Sequence, residues 1–206
     1  MELIKRSGTL VVVSAPSGAG KTTLCHEVRS IVPDLYYSVS HTTRAPRHGE
    51  IDGTDFHFVT DAQFAAMRAR DEFAEWAVVH NHFYGTPAKA LEGALRRGLD
   101  VLLDIDTHGA RQLRQRYPEA VSVFIMAPSM AELEARLYDR NSDAPGEIQR
   151  RLVRAREEIA AWRHYDYLII NRDVKEAVDQ LANIITAERS RTSRLTLRFP
   201  DVEVPE

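Results

Sequence analysis

The chain has 206 residues, 44% of them hydrophobic, which suits one sizeable core carrying smaller inserted subdomains and argues against a second independent domain. With 27 Lys and Arg against 30 Asp and Glu the net charge is −3, so nothing calls for nucleic acid or a membrane surface as partner, and any basic site must be local. The single cysteine, Cys25, cannot form an internal disulfide, and neither a secretory segment nor an apolar run of about 18 residues stands out, so a reducing cytoplasm is expected.

The first apolar run, Thr9 to Ala15 (TLVVVSA), is continuous rather than alternating, as suits a strand buried on both faces. Ala15 to Thr22 follow at once and read APSGAGKT, and helical spacing then runs from Lys21 to Val32. This is the pattern of a phosphate-binding loop, with Ala15 where Gly usually opens it. Gly18 and Gly20 let backbone N–H groups turn towards phosphate oxygens, and the helix N-terminus adds its positive dipole end. The candidate ATP-binding residues are Ala15, Pro16, Ser17, Gly18, Ala19, Gly20, Lys21, Thr22 and Thr23. Lys21 is expected to reach the β- and γ-phosphates, and Thr22 to place its hydroxyl on Mg2+. A turn that merely links strand to helix is the plain alternative. The coincidence of strand, loop, Lys-Thr and helix weighs against it.

From Ser38 to about Gly98 the strand–helix rhythm breaks. The segment opens polar and turn-rich, FHFV then alternates like a half-exposed strand, and Asp61–Arg70 and Pro87–Arg97 read as helices. It is expected to be a lobe, residues 38–98, inserted between core segments 1–37 and 99–136. Arg44 and Arg47, three apart in a Gly/Pro-rich loop, can form a fork for a small dianion, although single surface arginines are usually just solvated. The lobe's histidines, at 41, 48, 57, 80 and 82, match no familiar zinc spacing, and no metal site is expected of them. Cys25, Trp76 and Trp162 read as packing residues, and Tyr36–Tyr37 as the anchor of the lobe.

Three further apolar runs follow, Val101–Ile105, Val121–Ala127 and Tyr167–Asn171, with helical spacing over Ala110–Arg116, Met130–Arg140 and Val174–Ser190. The alternation predicts an α/β fold, a three-layer P-loop core with a parallel sheet. Asp106, just after the VLLDID strand, is the candidate to hold the hydrated magnesium ion with Thr22; the competing reading is a helix N-cap before Thr107. Tyr138 to Arg151 concentrates arginines around a loop containing Asn141, Pro145 and Gly146 and reads as a mobile flap within a lid over 137–157. Residues 158–206 return to the core, ending in a tail whose basic start caps the last helix or stays solvated.

The order and spacing of SAPSGAGKTT, SVSHTTRAPR, FAEW, YGT, LDID, the Arg136–Arg140 stretch and IIN resemble the guanylate kinase family over roughly Gly8 to Arg194. The resemblance implies ATP-dependent phosphorylation of GMP, with dGMP as a second acceptor, assisted by Mg2+, in an enzyme that is a monomer or a homo-oligomer. It implies that Ser40, Glu75, Thr86 and Asp104 surround the guanine and that Arg44, Arg47 and Tyr84 hold the GMP phosphate. It gives Arg136, Arg140 and Arg151 as lid arginines, active in catalysis with Lys21 and Arg44, and puts Asn171 near the adenine of ATP. The guanine assignment is chemically sound, because N1–H and the 2-amino group suit carboxylates while O6 suits hydroxyls. One departure stands out: similar enzymes carry tyrosine in a D-Y-x-F context where this chain has Asp55, Phe56, His57 and Phe58. Loss of that hydroxyl is offset only if water or His57 replaces it. Two other readings remain on the sequence alone, namely a P-loop kinase for another small acceptor and a phosphopeptide-binding module. The second lacks a working phosphate loop in its known form, which the intact Gly20, Lys21 and Thr22 oppose.

Overall fold

The computed structural model describes residues 4–79, 81–139 and 145–197. The chain opens with β1 (Ile4–Arg6), β2 (Leu10–Ser14), α1 (Lys21–Ile31) and β3 (Leu35–Tyr37). The lobe contributes β4 (His41–Thr42), β5 (His57–Phe58), α2 (Asp61–Ala69), β6 (Phe73–Val79), β7 (His82–Pro87) and α3 (Ala88–Arg96). The core resumes with β8 (Asp100–Asp104), α4 (Thr107–Arg116), β9 (Val121–Met126), α5 (Met130–Asp139), α6 (Pro145–Ala160), β10 (Tyr167–Ile170), α7 (Val174–Glu188) and β11 (Leu195–Leu197).

Five strands form a parallel sheet in the order β10-β9-β2-β8-β3. The unbroken apolar runs follow from burial on both faces. Val11 and Val13 pack with Leu24 and Val28 of α1 and Leu181 and Ile185 of α7, whereas Leu10 and Val12 meet Leu91 of α3 and Leu113 of α4. Each such side chain contributes about 1.5–3 kcal/mol on burial. The four expected strands are all present. The fifth, β3, holds the Tyr36–Tyr37 pair and was hidden because its three half-buried residues carry neither alternation nor an apolar run. Ser14 and Asp104 end neighbouring strands, so the loop after β2 and residues 104–106 share the carboxyl edge of the sheet, where ligands of open α/β sheets bind.

The lobe sheet runs β5-β4-β7-β6. FHFV forms only the two-residue β5, while β6 and β7 pair as an antiparallel hairpin that the sequence pattern did not indicate. Thr60 and Gln63 form a capping box on α2, which buries Phe64 against Phe73 and Phe83 at ring separations of 4.5 and 5.2 Å. The hairpin is tied to the core. Gln112 of α4 donates to the Trp76 carbonyl at 2.7 Å and accepts from its amide at 3.3 Å, and Arg116 donates to the Phe73 carbonyl at 2.9 Å.

Two expectations need correction. Pro145 and Gly146 do not sit in a flap loop but begin the 16-residue helix α6, where a proline in the first turn lacks only an N–H that no helical carbonyl would take. The basic start of the tail does more than cap the last helix or stay solvated: Arg189 is the C-cap residue of α7 and the Arg191 side chain is 55% exposed beside Glu188, but Arg189 and Arg194 also reach into the core. Arg189 donates to Asp100 at 2.7 Å and to the Pro33 carbonyl at 2.6 Å, Arg194 is 9% exposed, and β11 pairs antiparallel with β1. Asp100 is fully buried and also accepts from Arg6 and from the Thr9 amide at 2.8 Å. Among the described residues no helix is long and apolar enough to cross a membrane.

Candidate active site

The phosphate loop joins β2 to α1 with Gly18 at φ 90° and Gly20 at φ 93°, a conformation that side-chain-bearing residues rarely adopt. Behind the loop lies Asn171, 1% exposed, which donates to the Ala19 carbonyl at 2.8 Å. A Cβ on Gly20 would lie 2.4 Å from that amide nitrogen. The amide nitrogen of Asn171 thus braces the loop from behind, and the residue lines neither cavity described below. Ala19 is fully buried and Thr23 lies outside both cavities, so the loop's working face is Ala15 to Gly18 and Gly20 to Thr22.

That face lines a cavity of about 200 Å³ together with Val79, Asp106, Arg151, Arg154 and Glu158. Arg151 of α6 donates to the Ser17 hydroxyl at 3.2 Å from Nε and 2.5 Å from Nη2. Arg136 of α5 lies outside both cavities, bonded to Glu132 and to the Asn171 carbonyl, each at 3.1 Å. Arg140 falls outside the described residues. Arg154 and Glu158 were missed by the sequence reading, because only the pitch of α6 carries residues 151, 154 and 158 to one face.

A second cavity of about 490 Å³ opens between the core and the lobe, and it shares Ser17, Lys21, Thr22, Val79 and Asp106 with the first. Ser40, Arg47, Phe56, Glu75, Tyr84 and Asp104 also line it. Glu75 is 5% exposed on β6 and accepts from the Thr86 hydroxyl at 2.6 Å. Burial pushes its carboxyl up to about 7, with Asp106 adding to the effect and Thr86 opposing it. It approaches α4 so closely that a Cβ on Gly109 would lie 2.4 Å from Oε2. Thr86 is fully buried and not part of the lining, with its hydroxyl bonded to Glu75.

The expected arginine fork is altered. Arg44 is absent from the lining and grips Glu50 through Nη1 and Nη2 at 3.0 and 2.8 Å, with the Tyr84 hydroxyl accepting from its Nε at 3.2 Å. Glu50 also accepts from the Arg47 amide at 2.7 Å and lines the cavity, as does Arg47 but not Arg44. Phe56 lies edge-on to Tyr84 at 5.8 Å, with the Arg44 guanidinium 5.5 Å over its ring. His57 packs against His41 with ring centroids 4.7 Å apart at a tilt of 33°, and it does not line the cavity beside Phe56.

Lys21 joins the two cavities. It forms an ion pair with Asp104 and donates to the Ile105 carbonyl at 3.0 Å. Burial would lower its affinity for a proton, but the Asp104 carboxylate beside it outweighs burial and leaves it raised. Asp104 is thus engaged with Lys21 rather than directed at a base. Asp106 caps α4 by accepting from the Gly109 amide at 2.8 Å, which realises the N-cap reading, and it still lines both cavities opposite Thr22. Among the described residues no group of three or more His, Cys, Asp or Glu could hold a metal alone. The hard oxygens of Thr22 and Asp106, which line the same cavity, suit a hydrated Mg2+ that arrives with phosphate ligands of its own.

The guanylate kinase family model matches residues 7–188. A guanylate kinase from Syntrophotalea carbinolica is 51% identical over 192 residues, which cover 93% of this chain and 91% of that one. One from Geobacter metallireducens is 49% identical, covering 93% and 95%. Among solved structures, the crystal structure of guanylate kinase from Anaplasma phagocytophilum matches with a TM-score of 0.80 at 36% identity, over 94% of this chain and 92% of that one.

Proposed function

The chain belongs to the guanylate kinase family and catalyses ATP-dependent phosphorylation of GMP to GDP, and on that premise we propose how its residues divide the work. The observation that carries the proposal is the pair of adjoining cavities that share Lys21, Thr22 and Asp106. One cavity has the backbone cradle of a phosphate loop; the other has a buried carboxylate and an arginine.

GMP lies in the larger cavity. Glu75, oriented by Thr86, accepts the hydrogen bonds that the guanine N1–H and amino group donate, and Ser40 serves O6. A buried site built on such bonds rejects bases lacking them by up to about 10⁴ to 10⁵-fold. Arg47 and Tyr84 hold the phosphate, joined by Arg44 when Glu50 yields to the stronger anion. None of these residues is assigned to the ribose, so dGMP is accepted too. The attacking phosphate oxygen is largely ionised at neutral pH, since its second pKa lies near 6, and no general base is needed.

ATP places its phosphates on the loop amides. Lys21 exchanges Asp104 for the β- and γ-phosphates, which frees Asp104 for the guanine amino group. Thr22 and Asp106 would hold Mg2+ with the phosphates, and the ion would supply charge neutralisation of the transferring group. Catalysis then rests on alignment and charge, to which Arg151 and the other lid arginines, Arg136 and Arg140, contribute as the lobe of 38–98 and the lid of 137–157 close and exclude water. The cytoplasm, where both nucleotides are at hand, is the compartment we assign.

The test is ADP formation from ATP with GMP, dGMP, AMP, UMP and CMP. Turnover is expected with GMP and dGMP alone; comparable turnover with AMP would remove the guanine assignment.

A further inference from the structure

The phosphate-loop cavity has an acidic wall that the roles above leave unused. Glu158 lies in the last turn of α6, its side chain is 15% exposed, and it lines the cavity with Thr22 and Asp106. Its Oε1 stands 3.5 Å from Arg154 Nε, one helical turn earlier, while its Oε2 is buried with no hydrogen-bond partner among the described residues. A carboxylate facing a polyphosphate is repelled, and a buried oxygen without a partner is costly. The pair with Arg154 does not explain the placement, because it uses Oε1 and would serve equally well on an exposed helix face. Asp106 reaches the same cavity from the start of α4, with one oxygen committed to the Gly109 amide. Two carboxylates lining one anion site are compatible with it only when a cation intervenes.

We propose that Glu158 is a positioning residue for the hydrated divalent cation of ATP, accepting hydrogen bonds through Oε2 from the cation's water ligands in the cavity it shares with Asp106. The inference rests on the ATP reading given above. Burial raises the carboxyl of Glu158 above its ordinary range against the opposing pull of Arg154 and of the nearby Ser17 amide, so a cation's field there meets little screening by solvent. Since α6 also carries Arg151, bonded to Ser17, the same contact couples arrival of the metal–nucleotide complex to the seating of the lid helix.

The test compares wild type, Glu158→Gln and Arg154→Gln by calorimetry with a non-hydrolysable ATP analogue, once in Mg2+ and once in EDTA, with water relaxation by Mn2+ in the ternary complex as a second readout. The gain in affinity on adding Mg2+ should fall about tenfold in Glu158→Gln, as for loss of one hydrogen bond to a charged group. Binding in EDTA should be unchanged or tighter, which also reports an intact loop, and the Mn2+ relaxation should change. Arg154→Gln should retain the wild-type gain. Equal loss in Mg2+ and EDTA, no change in the gain, or the same loss of gain in Arg154→Gln would overturn the proposal. If wild type fails to bind the analogue in either condition, the ATP reading falls first and this inference with it.

Discussion

Glu75 makes acceptor binding depend on pH in a way that can be calculated. Its carboxyl is pushed up to about 7, chiefly by burial, and only the ionised form accepts the guanine donors without offering a proton of its own. Apparent affinity scales with the competent fraction, which falls from about ten-elevenths at pH 8 to about one-eleventh at pH 6, a loss of about tenfold. The GMP phosphate titrates in the same range, so the informative quantity is the ratio of wild-type to Glu75→Gln affinity, from which the phosphate contribution divides out. Glutamine keeps a carbonyl for the Thr86 hydroxyl and does not titrate. Isothermal calorimetry at pH 6, 7 and 8 should show the ratio rising about tenfold across the series. A ratio independent of pH would refute the reasoning. The same shift has a stability consequence of opposite sense. A carboxyl held above its ordinary 4.5 favours the fold when protonated, so its contribution is present below about pH 4.5 and is lost as pH rises through about 7. The effect is at most about 3 kcal/mol, and empty Glu75→Gln should gain stability relative to wild type over that window.

Phe56→Tyr, in the wall of the acceptor cavity beside Tyr84, should tighten GMP binding by about 1.5–3 kcal/mol through one hydrogen bond to the phosphate; a GMP Michaelis constant that is unchanged or higher would reject this. Gly20→Ala should abolish ATP binding, because its Cβ would meet the Asn171 amide at 2.4 Å and φ 93° disfavours any side chain; retained affinity in a nucleotide titration would show that the loop can relax. Asp100→Ala should destabilise the fold by about 3–5 kcal/mol, since it leaves Arg6 and Arg189 without their buried partner. Chemical denaturation measures that loss, and a change below about 1 kcal/mol would mean water replaces the carboxylate.

The strands β2, β8 and β9 were legible in the chain because burial on both faces of a parallel sheet demands continuous apolar runs, and β10, at the sheet edge with Leu168 exposed and Ile169 buried, was legible from its own short apolar run, a signal local to each segment. The phosphate loop was legible for the same reason: its glycines, Lys21 and Thr22 act within a few residues of one another. The identities of Ser40, Arg47, Glu75, Tyr84 and Asp104 came from motif order, and all five line the acceptor cavity. What local pattern could not carry was pairing. Only the folded chain sets Glu50 between Arg44 and the Arg47 amide, turns Asn171 to the back of the loop, gives Asp104 to Lys21, and brings Glu158 and Asp106 to one cavity beside the phosphate loop. These are contacts between groups distant in sequence or fixed by helix phase. Their partners are chosen by geometry and by the cost of leaving a buried charge alone, and neither quantity exists until the sheet has brought its carboxyl edge together.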